Sequence, residues 1–201
     1  MMSTQHHQPI RKDELNEQHI MLYDINEGIL CFMESALQCD AWAQSNRTIK
    51  SIIVNYLQNT LEAHPEDFSE DAAVFKKAYD KARVIFDLKV YRDTMFKGFS
   101  VAFTIKIDDK PYYMYSNNSM ELRFKEGVPP RNIPGSTSNV IFYQKQFSKG
   151  DSRYFVFESA VNSGYCLAYQ DEGGKQKLIL KHTLEDEVDE TKCFQTQVIQ
   201  N

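Results

Sequence analysis

Side chains that could act as nucleophiles or bases are present in this chain, but their spacing indicates no catalytic site. The five histidines are His6, His7, His19, His64 and His182. Three of them stand within the first 19 residues, and none lies in a context typical of a serine–histidine or cysteine–histidine pair. The adjacent imidazoles at positions 6 and 7 are weak metal ligands. The sequence therefore predicts neither a catalytic centre nor a metal site.

The other residues that could do chemistry also have structural explanations. The four cysteines, Cys31, Cys39, Cys166 and Cys193, lack the paired spacing of a metal site, and we predict reduced thiols. Gly173-Gly174 joins two predicted strands and is not a phosphate-binding loop. The acidic stretch TLEDEVDET at 183–191 does not have EF-hand spacing and is typical of a solvated hairpin or a partner surface. No cofactor is predicted, and an enzyme is the least supported class.

Charge is distributed unevenly along the chain. Residues 1–40 contain two basic and seven acidic side chains, a net charge of −5 that equals the net charge of the whole chain. The remainder is balanced, with 21 basic and 21 acidic side chains. A boundary of this kind, which falls after Asp40, is typical of either a solvated tail or a regulatory segment that interacts with a partner.

The sequence has no feature of a membrane-spanning or signal segment. No apolar run approaches the roughly 20 residues that span a bilayer. The first 18 residues, MMSTQHHQPIRKDELNEQ, are polar where a signal peptide has an apolar core. We therefore expect the protein to be made in the cytosol, with the sequons at Asn46 and Asn117 unused.

Beyond residue 80 the chain follows the period-two pattern of β-strands. Nine short, β-branched and aromatic segments occur at 83–91, 99–107, 111–116, 120–126, 138–147, 153–160, 165–170, 176–182 and 193–199. Turn formers such as Asp108-Asp109 and Gly173-Gly174 separate them. The pattern predicts an all-β barrel or sandwich-like fold, with KSIIVNYL at 50–57 as a tenth strand.

Two further patterns lie before residue 83. In the acidic leader, HIMLYD at 19–24 and ILCFME at 29–34 are strand-like and apolar. SEDAAVFKKAYDKAR at 69–83 has Ser69 as a candidate N-cap, Asp71 in the first turn, and basic residues toward its end. We predict a short helix over 69–83, between two strands.

The β-rich body carries basic side chains interleaved with aromatic ones. The basic residues are Lys89, Arg92, Lys97, Lys106, Lys110, Arg123, Lys125, Arg131 and Lys145, and the aromatic residues are Tyr91, Phe99, Tyr112 and Tyr113. Nucleic acid prefers a net basic domain, whereas this body is neutral. The pattern therefore favours ordinary alternating strand surfaces or a protein partner with acidic patches.

Two long stretches carry a family resemblance. They are SMELRFKEGVPPRNIPGSTSNVIFYQKQF at 119–147 and YFVFESAVNSGYCLAYQDEGGKQKLILKHTLEDEVDETKCFQTQVIQN at 154–201. With these residues the chain resembles the interleukin-18 group of the interleukin-1 superfamily, from about residue 83 to the C-terminus. The superfamily pattern around 157–168 is partly met, with Ser163 in place of a proline and Tyr169 in place of a threonine.

The resemblance implies a fold and a division of the chain. The fold is a β-trefoil of about twelve strands in three pseudo-repeats. The division is an acidic propeptide at 1–40 and a mature cytokine domain at 41–201. Members of this group are made as inactive precursors that lack a signal peptide, and their mature form leaves the cell by a route that does not need one. We expect the same of this chain.

The same resemblance implies a processing site. An inflammatory caspase cuts these precursors after an aspartate, and in LQCDAW at 37–42 that residue is Asp40. Caspase arginines hold an aspartate through charge-assisted hydrogen bonds that other side chains satisfy poorly. Leu37 suits the apolar subsite of the inflammatory caspases, and Ala41 is small on the far side of the bond. Asp71-Ala72 has the same local pattern, but only Asp40 falls at the junction.

The resemblance implies that the mature domain is a monomer that binds a primary and an accessory receptor and thereby induces interferon-gamma. It also implies that a soluble binding protein is a further partner. The matching receptor-binding positions are Arg92, Lys97, Phe99, Lys125 and Lys145. Asn139 stands where relatives use an acidic residue toward the accessory receptor. The acidic leader could silence the precursor by covering a cationic surface or by holding the first strands out of register. A β-trefoil lectin or protease inhibitor is the alternative class.

Overall fold

The computed structural model of the chain describes residues 20–26, 29–34, 41–66, 72–94, 98–148, 151–184 and 188–199. In 20–26 and 29–34, and at residues 41, 148, 151 and 152, it describes the backbone only. The chain divides into two compact units, Met1–Gln38 and Cys39–Asn201. In the first unit, β1 (Ile20–Asn26) and β2 (Ile29–Glu34) form an antiparallel hairpin with an irregular register between Leu22 and Asp24. Both strands predicted in the acidic leader are therefore present.

The described part of the second unit contains thirteen strands. They are β3 (Ala41–Asn55), β4 (Thr60–Ala63), β5 (Ala73–Lys76), β6 (Ile85–Asp93), β7 (Phe99–Ile107), β8 (Lys110–Ser116), β9 (Leu122–Glu126), β10 (Asn132–Pro134), β11 (Phe142–Ser148), β12 (Asp151–Ser159), β13 (Tyr165–Glu172), β14 (Lys175–His182) and β15 (Phe194–Val198). Single turns of 3₁₀-helix occur at Lys81–Arg83 and Glu190–Lys192.

The pairing of these strands closes a barrel. Strands β3, β6, β7, β11, β12 and β15 pair antiparallel in a ring, in which β15 returns to β3. Three further antiparallel hairpins, β4–β5, β8–β9 and β13–β14, extend from it. Six barrel strands and three hairpins make the predicted β-trefoil, and β10 is an additional short strand along the first residues of β3.

Local sequence explains the two-residue turn between β7 and β8. Ile107 pairs with Lys110, which leaves Asp108 and Asp109 as the two central residues, with φ angles of 48° and 65°. Positive φ at both central positions gives a turn whose twist matches that of the flanking strands, and aspartate tolerates this conformation better than most residues. The two residues predicted as turn formers therefore reverse the chain between β7 and β8.

The barrel interior is dominated by phenylalanine. Phe103 is completely buried and meets the rings of Phe86, Phe142 and Phe157 edge-on, with centroids 5.1–6.4 Å apart. These separations are in the favoured range for aromatic pairs. A second apolar cluster is formed by Trp42, Tyr91, Ala102, Ile133, Val140, Ile141 and Tyr143. The long strand β3 contributes to both clusters, through Ile53 to the first and Trp42 to the second.

The helix predicted over 69–83 is not formed at its centre. Ala73–Lys76 is a strand between β4 and β14, and only Lys81–Arg83 is helical, as a single 3₁₀ turn capped by Asp80. Ala73, Val74 and Phe75 are buried one after another, and the Phe75 ring stacks on Phe194 at 5.6 Å. Alanine favours helix, but burial of consecutive side chains between two strands outweighs that local propensity.

The described residues contain no helix long and apolar enough to span a membrane. Cys166 and Cys193 form no disulfide, in agreement with the predicted reduced thiols, and both are buried, whereas the side chains of Cys31 and Cys39 are outside the described part.

Candidate functional site

An irregularity in β3 brings a cation to an exposed aromatic ring. The register between β3 and β6 shifts between Gln44 and Thr48, where polar residues replace the apolar alternation of the strand. Arg47 lies in this irregular stretch, and its guanidinium carbon is 5.7 Å from the centroid of the Phe99 ring. Phe99 begins β7 and keeps 37% of its surface exposed. A cation at this distance over a ring is held by the ring's negative face.

Arg47 and Phe99 belong to a pocket of about 320 Å³, named here the Phe99 pocket. It is lined by Arg47, Ile49, Leu88, Phe99, Gln144, Lys145, Gln146, Phe155, Thr196 and Val198. Strands β3, β6, β7, β11, β12 and β15 all contribute to this lining. Its walls are largely apolar, while two cations and two amides offer directional contacts. Such a combination suits a protein partner that brings both an apolar and an acidic group.

The two cations of the Phe99 pocket differ in how far their charge is compensated. The Lys145 ammonium forms an ion pair with the Glu158 carboxylate across β11 and β12. The other carboxylate oxygen of Glu158 accepts the Gly164 N–H at 3.0 Å, which holds the carboxylate in place. Arg47 makes no ion pair with any described residue, so within the described part of the chain its charge is left uncompensated.

A second pocket, of about 550 Å³, lies beside β8, β9 and β10 and is named here the Lys125 pocket. It is lined by Tyr113, Tyr115, Lys125, Pro130, Ile133, Ser138, Asn139 and Val140. Two residues fix the loop that borders it: the Tyr91 hydroxyl donates to the Pro130 carbonyl at 2.7 Å, and the Ser138 hydroxyl accepts the Val140 N–H at 3.3 Å. Burial raises the pKa of Tyr91 to about 12.

Two tyrosines of the second apolar cluster, Tyr91 and Tyr143, have raised pKa values. The pKa of Tyr143 is also raised to about 12, first by burial and then by the carboxylates of Asp93 and Glu158. Tyr91 and Tyr143 are only 3% and 4% exposed. Tyr91, which the sequence grouped with the surface aromatics, is therefore a buried residue: the alternation of β6 turns Phe86 and Leu88 into the barrel, and Tyr91, on the opposite face, is covered by the second cluster around Trp42.

The residues predicted from the sequence fall into separate groups. Phe99 and Lys145 line the Phe99 pocket, whereas Lys125 and Asn139 line the Lys125 pocket. Arg92 is exposed on β6 opposite Ala43 and lines neither. Leu37, Asp40 and Lys97 lie outside the described residues, and Ala41 is described as the first residue of β3, opposite Pro134.

Arg47 was not among the residues predicted from the sequence. The available signal was the polar run Ser45-Asn46-Arg47-Thr48, which interrupts the apolar pattern of β3. Such a run marks a bulge or an exposed turn, but it does not say that β7 begins beside it. No group of three or more metal-ligating side chains occurs among the described residues.

Sequence comparison finds one matching family and similar proteins from several animals. The family described as Interleukin-1 / 18 matches residues 78–194. Interleukin-18 of Gallus gallus is 36% identical over 177 residues, which are 83% of this chain and 88% of that protein. Interleukin-18 of Homo sapiens is 35% identical over 106 residues, covering 53% of this chain and 52% of that protein.

Solved structures agree with the fold at lower sequence identity. Chicken interleukin-1 beta is 18% identical, covers 78% of this chain and 99% of its own, and gives a TM-score of 0.57. A structure named BEL beta-trefoil is 12% identical, covers 75% of this chain and 93% of its own, and gives a TM-score of 0.53. At such identities the likeness concerns the fold alone.

Proposed function

The chain belongs to the interleukin-1/18 family of cytokines, and on that premise we propose that residues 41–201 act as an interleukin-18-like cytokine that bridges a primary and an accessory receptor. Its curated relatives carry the name of a cytokine rather than of an enzyme. The mature domain would therefore work by recognition, and receptor bridging would trigger immune signalling that includes interferon-gamma induction.

The observation that carries this proposal is the Phe99 pocket. A partly exposed aromatic ring under the Arg47 guanidinium, in a pocket that Lys145 also lines, combines the apolar anchor and the cationic rim typical of a binding hot spot. We assign this pocket to the primary receptor. The Arg47 cation would speed the encounter with an acidic receptor surface, while burial of Phe99 would supply affinity.

The Lys125 pocket is our candidate site for the accessory receptor. It contains Lys125 together with Asn139, the position at which relatives use an acidic residue. Two separate pockets with different lining residues are what a bridging ligand requires. A soluble binding protein that blocks the cytokine would need to cover only one of them.

We propose that the precursor is activated by an inflammatory caspase that cuts between Asp40 and Ala41. The division of the chain after residue 38 and the start of β3 at Ala41 support a junction at this place. The leader has a net charge of −5, which suits a role in covering a cationic surface. In the full-length chain β3 already pairs with β6, β10 and β15. This pairing favours the hypothesis that the leader covers a cationic surface over the hypothesis that it holds the first strands out of register. The precursor would be cytoplasmic, and the mature form would leave by a route that needs no signal peptide.

One experiment tests the processing and the signalling together. The full-length chain is incubated with an inflammatory caspase, the products are weighed by mass spectrometry, and each is applied to cells with an interleukin-18-type receptor reporter. We expect one cut between Asp40 and Ala41 and signalling by the large fragment alone. Asp40→Ala should abolish both, whereas Asp71→Ala, at the other aspartate followed by alanine, should change neither. Signalling by the uncut chain would refute the precursor mechanism.

A further inference from the structure

The first residues of β3 are built into the trefoil directly after the proposed cut. Ala41, Trp42 and Ala43 pair with Pro134, Ile133 and Asn132 of β10, and the Gln44 N–H donates to the Arg131 carbonyl at 2.7 Å. On the other side, Trp42, Ala43 and Gln44 pair with Asp93, Arg92 and Tyr91 of β6. The side chain of Trp42, the only tryptophan of the chain, is 1% exposed. Residues 41–44, named here the entry segment, are thus held between two strands.

This pairing prevents a protease from binding the entry segment. An endoprotease binds its substrate as an extended strand whose backbone groups pair with the enzyme and whose side chains enter subsites. For a cut between residues 40 and 41, Ala41 and Trp42 must occupy the subsites after the bond. Their backbone groups cannot pair with the enzyme and with β10 and β6 at the same time. A buried Trp42 side chain cannot reach a subsite either.

The strands around the entry segment provide a way to open it. The register shift between Gln44 and Thr48 separates the pairs of residues 42–44 from those of residues 48–52 in the β3–β6 ladder. The first four residues can therefore detach while the rest of β3 keeps its partners. Strand β10 has three residues, includes Pro134 without an N–H, and pairs with β3 alone among the described strands. Short, weakly paired segments of this kind open far more often than the whole domain unfolds.

We propose that the entry segment controls processing: cleavage proceeds only while residues 41–44 are transiently detached from β10 and β6, and burial of Trp42 sets how often this occurs. The inference rests on the proposed function. In the reaction, the protease adds water across the Asp40–Ala41 peptide bond, which yields a carboxylate on Asp40 and an amino group on Ala41. The cleavage rate then follows the population of the open segment when closing is fast. After the cut, Trp42 returns to its cluster and fixes the new N-terminus.

A covalent lock across the entry segment tests the inference. Ala43 and Asn132 are directly opposite each other, and the side chains of such pairs are about 4.5–5.5 Å apart at Cβ. In a reference chain with Cys31→Ser and Cys39→Ser, the pair Ala43→Cys and Asn132→Cys is bridged with 1,3-dichloroacetone, because its thioether withstands the reductant that a caspase needs. Cys166 and Cys193 are buried and should not react. We expect the bridged chain to be cut at least 10-fold more slowly than the same chain without the bridge.

The matched control is a bridge farther along the same strand. Lys50→Cys with Asp87→Cys joins β3 to β6 beyond the register shift and leaves the entry segment free. This chain should be cut at the reference rate. Equal rates for the bridged and unbridged Ala43–Asn132 pair would overturn the inference.

A second variant changes the rate in the opposite direction without any cross-link. Ile133→Ala removes the β10 side chain that packs with Trp42, and we expect cleavage about fivefold faster than in the reference chain. Leu178→Ala, a buried residue of β14 in the other cluster, controls for general loss of stability and should leave the rate within twofold. An equal acceleration by both variants would show that global unfolding admits the protease, against the inference.

A second protease separates this inference from the proposed function. Glu-C endoprotease also cuts after aspartate and would need the same open segment at Asp40. The caspase could leave the reference chain uncut while the Ala43–Asn132 bridge slows Glu-C cleavage at Asp40. In that case the caspase proposal is wrong, and the proposed control of cleavage by the entry segment is supported. If both enzymes cut at Asp40 at the same rate with and without the bridge, the proposed control by the entry segment is wrong, and the proposed processing site is supported.

Discussion

The guanidinium of Arg47 lies over the ring of Phe99, with 5.7 Å between the guanidinium carbon and the ring centroid, although the two residues stand 52 positions apart in the sequence. Contacts of this type at exposed sites contribute about 0.5–1 kcal/mol. The contact therefore orients both side chains more than it stabilises the fold. Held in this way, the ring and the cation face the Phe99 pocket together, and each can be tested by itself.

Replacement of Phe99 by alanine should remove the apolar anchor of the primary-receptor site. We expect the affinity of the caspase-cut chain for the primary receptor to fall at least 10-fold, a loss of about 1.4 kcal/mol or more. Surface plasmon resonance on the immobilised receptor measures this directly. Met120→Ala is the matched control, because Met120 is similarly exposed at 41% and lines a different pocket, between β9 and β14. Equal losses for both variants would contradict a specific role of Phe99.

Replacement of Arg47 by alanine should act mainly on the rate of encounter. A cation at the rim of an interface speeds association with an acidic partner, and salt screens that effect. We expect the association rate to fall about threefold at low salt, and the difference to disappear near 1 M salt. Stopped-flow or resonance measurements at several salt concentrations test this. Lys110→Ala, at the opposite end of β7, should leave the rate unchanged; a deficit for Arg47→Ala that persists at high salt would argue against steering.

The Lys125 pocket predicts a separable effect on the accessory receptor. Lys125→Ala should leave binding of the primary receptor within twofold, because Lys125 does not line the Phe99 pocket. Recruitment of the accessory receptor to that complex should weaken about 10-fold, and signalling in reporter cells should fall with it. Two-step binding on a surface that carries the primary receptor measures both quantities. If Lys125→Ala weakens the first step instead, the assignment of the two pockets is wrong.

The environment of Asp189 predicts that the folded chain loses stability in acid. Burial tends to raise the pKa of its carboxyl, but hydrogen bonds from Thr191 and ion pairs with Lys181 and Lys192, at 2.9 and 3.2 Å, hold the pKa well below its usual range. A carboxyl with a lowered pKa in the folded state stabilises the fold above its unfolded pKa of about 3.9, and this contribution is lost as the pH falls further. The stability of the chain should therefore decrease below about pH 4.

The substitution Asp189→Asn tests the source of that pH dependence. It leaves Lys192, which is 3% exposed, without its carboxylate, and should cost about 3 kcal/mol at pH 7. The difference from the unaltered chain should narrow as the pH falls below 4, because the Asp189 carboxyl of the unaltered chain then binds a proton in the unfolded state that folding must release. Urea unfolding between pH 7 and 3 measures this. Asp109→Asn, whose carboxylate is 95% exposed beside Lys106, should show no such behaviour.

The sequence was sufficient for features that depend on local patterns. Alternation of apolar and polar residues predicted most strands, since a residue's neighbours two positions away decide which face of a strand it occupies. Asp108-Asp109 predicted a tight turn because few other residues accept positive φ at both positions. Family motifs between 119 and 201 then indicated the trefoil, which periodicity alone could not distinguish from a sandwich.

The tertiary structure decided what depends on contacts between distant strands. Pairing with β4 and β14 on the closed barrel made β5 a strand, because Phe75 gains more from packing on Phe194 and Tyr169 than its segment gains from helix propensity. The same closure placed Arg47 over Phe99 and separated Lys145 from Lys125 into two pockets. No local pattern contains these relationships, since each requires residues of different strands to meet in one register. The sequence by itself therefore determined most of the strands and the family, and only the folded sheet determined which side chains form a common surface.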